Sequence, residues 1–285
     1  MTTIVYGSEL SKELKQQMHE QVQKLKDEGK RIPSLAVILV GDNPASVSYV
    51  KGKEKACNEI GILSKMYHLD ESISQQQLND VILDCSSDDS IDGILVQLPL
   101  PKGFDEESAL NCICCEKDVD GLHPMNVGKF FLNRPAFVPC TPMGVMELLK
   151  RMGCNPDGKR AVVVGRSKLV GTPIARLLEN ANATVTMCHS HTKDLKEVTK
   201  QADILVAAVG RAKMLDASYI KEGAYVIDVG VNRGEDGHLV GDCDFESMLG
   251  KASAITPVPK GVGPMTITML LQNTLKSYEE RENND

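Results

Sequence analysis

The chain has 285 residues, 42% hydrophobic and 25% charged, a balance that excludes a disordered or collagen-like polymer and provides a substantial core. Its 39 acidic and 32 basic residues leave a formal charge of −7, which disfavours non-specific binding to a nucleic-acid backbone while leaving room for a local basic pocket. At about 100–200 residues per domain, the length suits two domains.

The N-terminal MTTIVYGSELSKELKQQ lacks the apolar stretch and small-residue cleavage site of a secretory signal. No segment approaches the ~18 apolar residues of a membrane span. Nine cysteines, odd in number and without framework spacing, then read as reduced thiols, and the expected location is cytoplasmic. Leu10, Leu14, Met18, Val22 and Leu25 recur at helical spacing and predict an amphipathic helix from Glu9 to Glu28. The apolar run Leu35 to Val40 predicts a parallel strand buried on both faces, followed by a turn at Gly41 to Pro44. A second helix is expected from Ala45 to Ile60, with Gly61 as its C′ residue. Strand-like Lys65 to Leu69, a helix near Ser74 to Asp84 and the strand Gly93 to Leu98 continue the alternation. The sequence Leu98-Pro99-Leu100-Pro101 stops that strand, because proline cannot donate to a ladder.

Thr141 as N-cap and Pro142 at N1 predict a further helix ending at Gly153. Five strand candidates follow, at 161–165, 183–188, 203–209, 224–230 and 253–256, with helical segments between most of them. Short apolar strands with helical crossovers predict a doubly wound parallel sheet. A last helix is expected from Pro264 to about Glu280, and the terminal EERENND reads as a solvated, frayed tail.

AVVVGRSKLVGTPIARLL is strand, glycine turn and helix. Gly165 ends the strand, Gly171 allows close backbone approach, and exposed N–H groups at the following helix start would attract a pyrophosphate. The spacing Gly-x5-Gly departs from Gly-x-Gly-x-x-Gly, so a structural turn competes with a dinucleotide site. At the end of the next strand, where an NAD site usually carries a carboxylate, stand Cys188-His189-Ser190-His191. Ser190 and Arg166 could there grip a 2′-phosphate, which favours NADP. A helix cap and a solvated charge are the plainer roles for these two residues.

Tyr49 and Lys53 lie at i and i+4 on one helix face. Alone they read as a solvated lysine face. Gln97 is a polar residue near the carboxyl end of an otherwise apolar strand, where α/β sites collect, though a buried amide also serves as a structural hydrogen bond. Asp118 and Asp120 in KDVDGLHP fit either an Asx-turn or a substrate anchor. Cys112, Cys114 and Cys115 lack a second ligand cluster and predict no metal site.

In order, YVKGKEKACNEIGI, DGILVQLPLP, KDVDGLHPMNVGK, PCTPMGVMELL, VVVGRSKLVGTPIARLL, VIDVGVN and ITPVPKGVGPMTITMLL resemble the bifunctional methylenetetrahydrofolate dehydrogenase/methenyltetrahydrofolate cyclohydrolase family over nearly the whole chain. One departure is Lys260, where the family usually has a glycine. The resemblance implies NADP-dependent oxidation of 5,10-methylenetetrahydrofolate to the methenyl form, then hydrolysis to 10-formyltetrahydrofolate. It implies two α/β lobes around a cleft, the second Rossmann-like. The expected division is 1–139 plus 265–285 for a folate-binding catalytic domain and 140–264 for the NADP-binding domain, with a homodimer through the latter. The family's catalytic tyrosine, lysine, glutamine and aspartate fall on Tyr49, Lys53, Gln97 and Asp120. Folate contacts are further expected from Leu98, Pro99, Pro259 and Gly263. Cofactor contacts are expected from Gly165, Arg166, Ser167, Val170, Ser190, Val231, Gly263 and Thr266. In that scheme a neutral Lys53, its pKa lowered by burial or by a hydrogen bond from Gln97, activates water. The alternatives are an NADP-dependent amino-acid or hydroxy-acid dehydrogenase, a dehydrogenase that has lost most cyclohydrolase activity, and a non-catalytic NADP-binding module.

Overall fold

The apolar run at 35–40 forms the middle strand, Ser34–Val40, of a three-stranded parallel sheet between Leu63–Leu69 and Gly93–Val96. All seven of its residues are buried, as a strand covered on both faces requires. Each fully buried Leu, Ile or Val there contributes about 1.5–3 kcal/mol. The helices between these strands have clear end signals. Asn43 accepts the N–H groups of Ala45 and Ser46 at the start of Pro44–Ile60, and Gly61, with φ +86°, closes it. Ser74 and Gln77 form a capping box on Gln75–Ser87. That helix is closed by a buried cation: Lys117 Nζ donates to the carbonyls of Cys85, Ser86 and Asp88, three acceptors at a helix C-terminus.

The structure is a computed structural model in which residues 1–234 and 237–283 are described. It contains two units: Glu13–Val138 with Ile267 onward, which holds the sheet above, and Met1–Lys12 with Pro139–Thr266. These units differ from the expected division at its N-terminal end. Residues 1–12 go with the second unit because Thr3–Ile4 pairs as a parallel strand with Ala254–Ile255. Thr2 Oγ1 also donates to the Ala252 carbonyl. A two-residue edge strand has no periodicity by which to be recognised. The final helix is Val262–Glu282, and its residues from Ile267 belong to the first-described unit.

The second unit carries a six-stranded parallel sheet in the order Thr3–Ile4, Ala254–Ile255, Tyr225–Asp228, Ile204–Ala207, Arg160–Val164, Thr184–Cys188. Val162, Val164, Leu205 and Ile255 pack with Ile220 and Met248 on one face. Alternation turns Val163 and Val206 to the other face. The helices Cys140–Arg151 and Gly171–Asn180 pack against these strands, so the sheet is doubly wound. Chain order reverses between Arg160–Val164 and Ile204–Ala207, and this is the topological switch point. The helix expected to start behind Thr141 begins at Cys140, with Pro139 before it and no side-chain cap. Thr141 lies inside its first turn, where its hydroxyl pairs with that of Thr266 at 2.9 Å.

The terminal segment is no frayed tail as far as Asn283. Buried Asp92 accepts both Nη1 and Nη2 of Arg31 at 2.8 and 2.9 Å, Arg281 Nη1 at 3.0 Å and the Ser34 N–H at 2.8 Å. Glu282 accepts the Arg31 Nη2 at 2.8 Å. Charge pairing therefore carries the helix to Glu282; Asn284 and Asp285 lie outside the described residues. Replacing Asp92 by alanine takes a buried acceptor from two guanidinium groups, which keep Glu282 and the Ile91 carbonyl, and leaves the buried Ser34 N–H without its acceptor. The expected loss is about 3 kcal/mol in urea unfolding, and a loss below about 1 kcal/mol would contradict a central role for this carboxylate.

Candidate functional site

In the unit of the three-stranded sheet, Lys53 comes from the middle of the helix Pro44–Ile60, and Gln97 from the first residue beyond the strand Gly93–Val96. Lys53 Nζ donates to Gln97 Oε1 at 2.8 Å, and Gln97 Nε2 donates to the Leu98 carbonyl at 2.6 Å. A carbonyl oxygen can only accept, so Leu98 fixes which way the Gln97 amide points. The hydrogen bond thus runs from Lys53 to Gln97, the reverse of the sequence-based expectation. Tyr49, one turn earlier, is exposed.

The two aspartates of KDVDGLHP separate into different environments. Asp118 is fully buried and bridges Ile94 in parallel register. Its carboxylate accepts the N–H groups of Leu122 and His123 and the Asn126 amide. Burial pushes its pKa up to about 6, against the pull of those donors. Asp118 therefore folds the loop. Carrying the Ile94–Asp118 register forward two residues sets Asp120 level with Val96, one residue before Gln97. Asp120 is half-buried, and among the described residues nothing hydrogen-bonds its carboxylate. Leu98 is half-buried and Pro99 exposed.

In the other unit, Gly165 has φ +124°, and a Cβ on it would overlap the Ala208 carbonyl oxygen. A Cβ on Gly171 would overlap the Gly165 carbonyl. Both positions require glycine, because strand end, helix start and neighbouring strand meet there. The helix start is not a set of free donors, however. The N–H groups of Val170 and Gly171 turn to Ser167 Oγ, that of Thr172 donates to the Ser167 carbonyl, and Pro173 has none. A pyrophosphate would then depend on the loop. Arg166 is exposed, and Ser167, accepting two N–H groups, keeps its hydroxyl proton for a ligand.

The turn at 189–192 is tight: the His189 N–H donates to Thr192 Oγ1 and the His191 N–H to His189 Nδ1. Ser190 is exposed at its tip and caps no helix. Arg166 and Ser190 follow adjacent strands, and the strand end Cys188-His189-Ser190-His191 carries no carboxylate, a donor set that suits a phosphorylated dinucleotide. Val231, Pro259 and Gly263 are exposed, and Thr266 is held by Thr141.

Lys260 has φ +77°, the left-handed region in which a glycine is unstrained. Its carbonyl accepts the Ser8 N–H at 3.1 Å, which holds the turn in place. Lys260→Gly is expected to be neutral or stabilising. Lys260→Val, β-branched at a positive φ, is expected to unfold about 2 kcal/mol more easily than the glycine variant. Urea midpoints of the two variants provide the comparison.

Sequence reasoning missed three residues. Asp228 and Asp242 are buried beyond the switch point, and Asn232 donates to Asp242. Asp228 carried a signal of the kind seen at Gln97, a polar residue closing an apolar strand. The nine cysteines are all unpaired. Burial raises the pKa of the Cys112, Cys114 and Cys115 thiols, and among the described residues no His, Cys, Asp or Glu group is placed to hold a metal. No helix among the described residues is long and apolar enough to cross a membrane.

The tetrahydrofolate dehydrogenase/cyclohydrolase family matches in two parts, its catalytic domain on residues 5–120 and its NAD(P)-binding domain on residues 139–282. The bifunctional protein FolD of Oceanobacillus iheyensis is 57% identical over 277 residues, 97% of each chain. The bifunctional FolD dehydrogenase/cyclohydrolase of Campylobacter jejuni superposes with a TM-score of 0.96 at 51% identity, covering 99% of this chain and 100% of that one. The FolD of Trypanosoma brucei, solved with NADP cofactor and inhibitor, gives a TM-score of 0.93 at 37% identity over 98% of both chains.

Proposed function

The chain belongs to the tetrahydrofolate dehydrogenase/cyclohydrolase family, and from that membership we infer its chemistry: NADP-dependent oxidation of 5,10-methylenetetrahydrofolate to 5,10-methenyltetrahydrofolate, then hydrolysis to 10-formyltetrahydrofolate. It is a bifunctional oxidoreductase and hydrolase of one-carbon metabolism. The folate-binding catalytic domain is the unit with the three-stranded sheet, and the NADP-binding domain is the unit with the six-stranded sheet.

The observation that carries the site assignment is the Lys53–Gln97 hydrogen bond, locked by the Leu98 carbonyl. Lys53, with one N–H held by Gln97, activates water for attack on the methenyl carbon and moves the protons that follow. Gln97 orients it. Tyr49 packs against the folate. Asp120, whose carboxylate has no donor among the described residues, accepts hydrogen bonds from the pterin amino and ring N–H groups. Leu98, Pro99, Pro259 and Gly263 complete the folate contacts. Arg166 and Ser190 hold the 2′-phosphate that separates NADP from NAD. Gly165, Ser167, Val170, Val231, Gly263 and Thr266 shape the remainder of the cofactor site. When bound, the nicotinamide supplies a hydride acceptor; orientation is what this chain contributes to that step.

A coupled spectrophotometric assay tests the reading: 5,10-methylenetetrahydrofolate with NADP⁺ or NAD⁺, NADPH and methenyl signals followed separately. NADPH formation without methenyl build-up, and faster with NADP⁺, is expected. Accumulating methenyl product would remove the hydrolytic role of Lys53, and no turnover by folded protein would remove the whole reading. A homodimer through the NADP-binding domain and a cytoplasmic location complete the proposal; sedimentation equilibrium checks the dimer.

A further inference from the structure

Beyond the switch point, two buried aspartates organise the ends of three strands. Asp242 is fully buried, and its Oδ2 accepts the N–H groups of Val209 at 2.6 Å and Gly210 at 3.0 Å. Its Oδ1 accepts the N–H of Arg211 at 2.8 Å and the Asn232 Nδ2 at 2.9 Å. Three consecutive backbone N–H groups converging on one anion form a nest of the kind that often holds a phosphate. Here the chain fills it with its own carboxylate.

Asp228 supports the arrangement from beneath. It accepts the N–H groups of Gly230, Asp242 and Cys243, so it fixes the backbone from which the Asp242 side chain reaches out. Steric closeness adds to the hydrogen bonds. A Cβ on Gly230 would overlap the Asp242 carboxylate, and one on Gly241 would overlap that of Asp228. The loop 208–211 follows the strand Ile204–Ala207, directly across the switch point from Gly165, whose backbone it touches at Ala208. Asn232 adjoins Val231, a proposed cofactor contact. One carboxylate therefore ties the loop on one wall of the cofactor crevice to the segment carrying Val231.

We propose that Asp242 is a positioning residue for the dinucleotide: it acts through the 209–211 backbone and Asn232 rather than by touching the cofactor, and it sets the shape of that wall before binding. The proposal rests on the NADP reading above. An amide at 242 keeps the size but places an NH2 group against backbone N–H donors, so it must open one side of the nest.

The test uses the full-length enzyme with Asp242→Asn and Asn232→Ala. For Asp242→Asn we expect NADP⁺ to bind at least about 10-fold more weakly by titration calorimetry, the dehydrogenase KM for NADP⁺ to rise by a similar factor, and methenyl hydrolysis without cofactor to stay within twofold of the parent. Amide exchange at Val209, Gly210 and Arg211 in the cofactor-free variant should accelerate, a readout independent of activity. Asn232→Ala, which spares the nest, should weaken NADP⁺ binding by only about 3-fold. Unchanged NADP⁺ affinity in folded Asp242→Asn would overturn the proposal, and so would equal loss of both activities with general acceleration of exchange. If the parent enzyme binds no NADP⁺, the underlying cofactor reading fails instead.

Discussion

Replacing Lys53 by methionine lowers methenyl hydrolysis by about 10²–10⁴-fold, the range a positioned proton-transfer group contributes. Methionine retains the side-chain bulk on the helix Pro44–Ile60 but removes the donor to Gln97 Oε1. Hydride transfer depends on the relative placement of two bound ligands rather than on a proton at Nζ, so it is expected to fall less. The variant should convert 5,10-methylenetetrahydrofolate to a methenyl product that accumulates while NADPH forms. Stopped-flow absorbance separates the two signals. Full cyclohydrolase activity in this variant would show that Lys53 does not act on water. Parallel collapse of both activities would instead make it a folate-binding residue.

Gly165→Ala is the second substitution with a large expected effect. The backbone at this position has φ +124°, and the added methyl meets the Ala208 carbonyl on the adjacent strand. Strain at such a φ costs about 1–3 kcal/mol and overpacking about 1–3 kcal/mol more, so a loss of roughly 3 kcal/mol or more is expected in urea unfolding. Relief requires the strand end to move away from Ala208, which widens the turn carrying Arg166 and Ser167. NADP⁺ affinity should fall by at least about 10-fold even where the variant remains folded, since a small misplacement of binding groups is costly. Cofactor-free hydrolysis of methenyltetrahydrofolate, assigned to the other domain, should be the less affected activity. Preserved stability and preserved NADP⁺ binding would together remove the steric argument.

Both substitutions act on positions that the sequence had already marked. Gln97 stood out as a polar residue closing a buried strand and Gly165 because it ended an apolar run before a helix, whereas Lys53, alone a solvated lysine face, was marked only by the family resemblance. The details that make them act were not marked. The direction of the Lys53–Gln97 hydrogen bond depends on the Leu98 carbonyl, the neighbour that decides which end of the amide faces the lysine. The helix N-terminus after Gly171 promised free N–H donors, but Ser167, four residues earlier, takes them first.

What the sequence by itself determined is what short-range chemistry controls. Apolar runs of four to seven residues became parallel strands, Gly61 closed its helix at a positive φ, and the strand expected to reach Leu98 ended at Val96, short of Pro99. Long ordered motifs also carried the family. Tertiary structure alone decided which of two similar residues is buried. Asp118, which bridges Ile94, folds a loop, while Asp120 has no donor among the described residues. Asp92 draws Arg31 and Arg281 together across 250 residues of chain and so extends a helix through a segment that looked like a tail. Thr3–Ile4 joins a sheet whose neighbouring strand lies at the other end of the sequence. In each case the deciding energy is that of an acceptor or strand edge removed from water, and its partner is set by the fold rather than by any neighbouring residue.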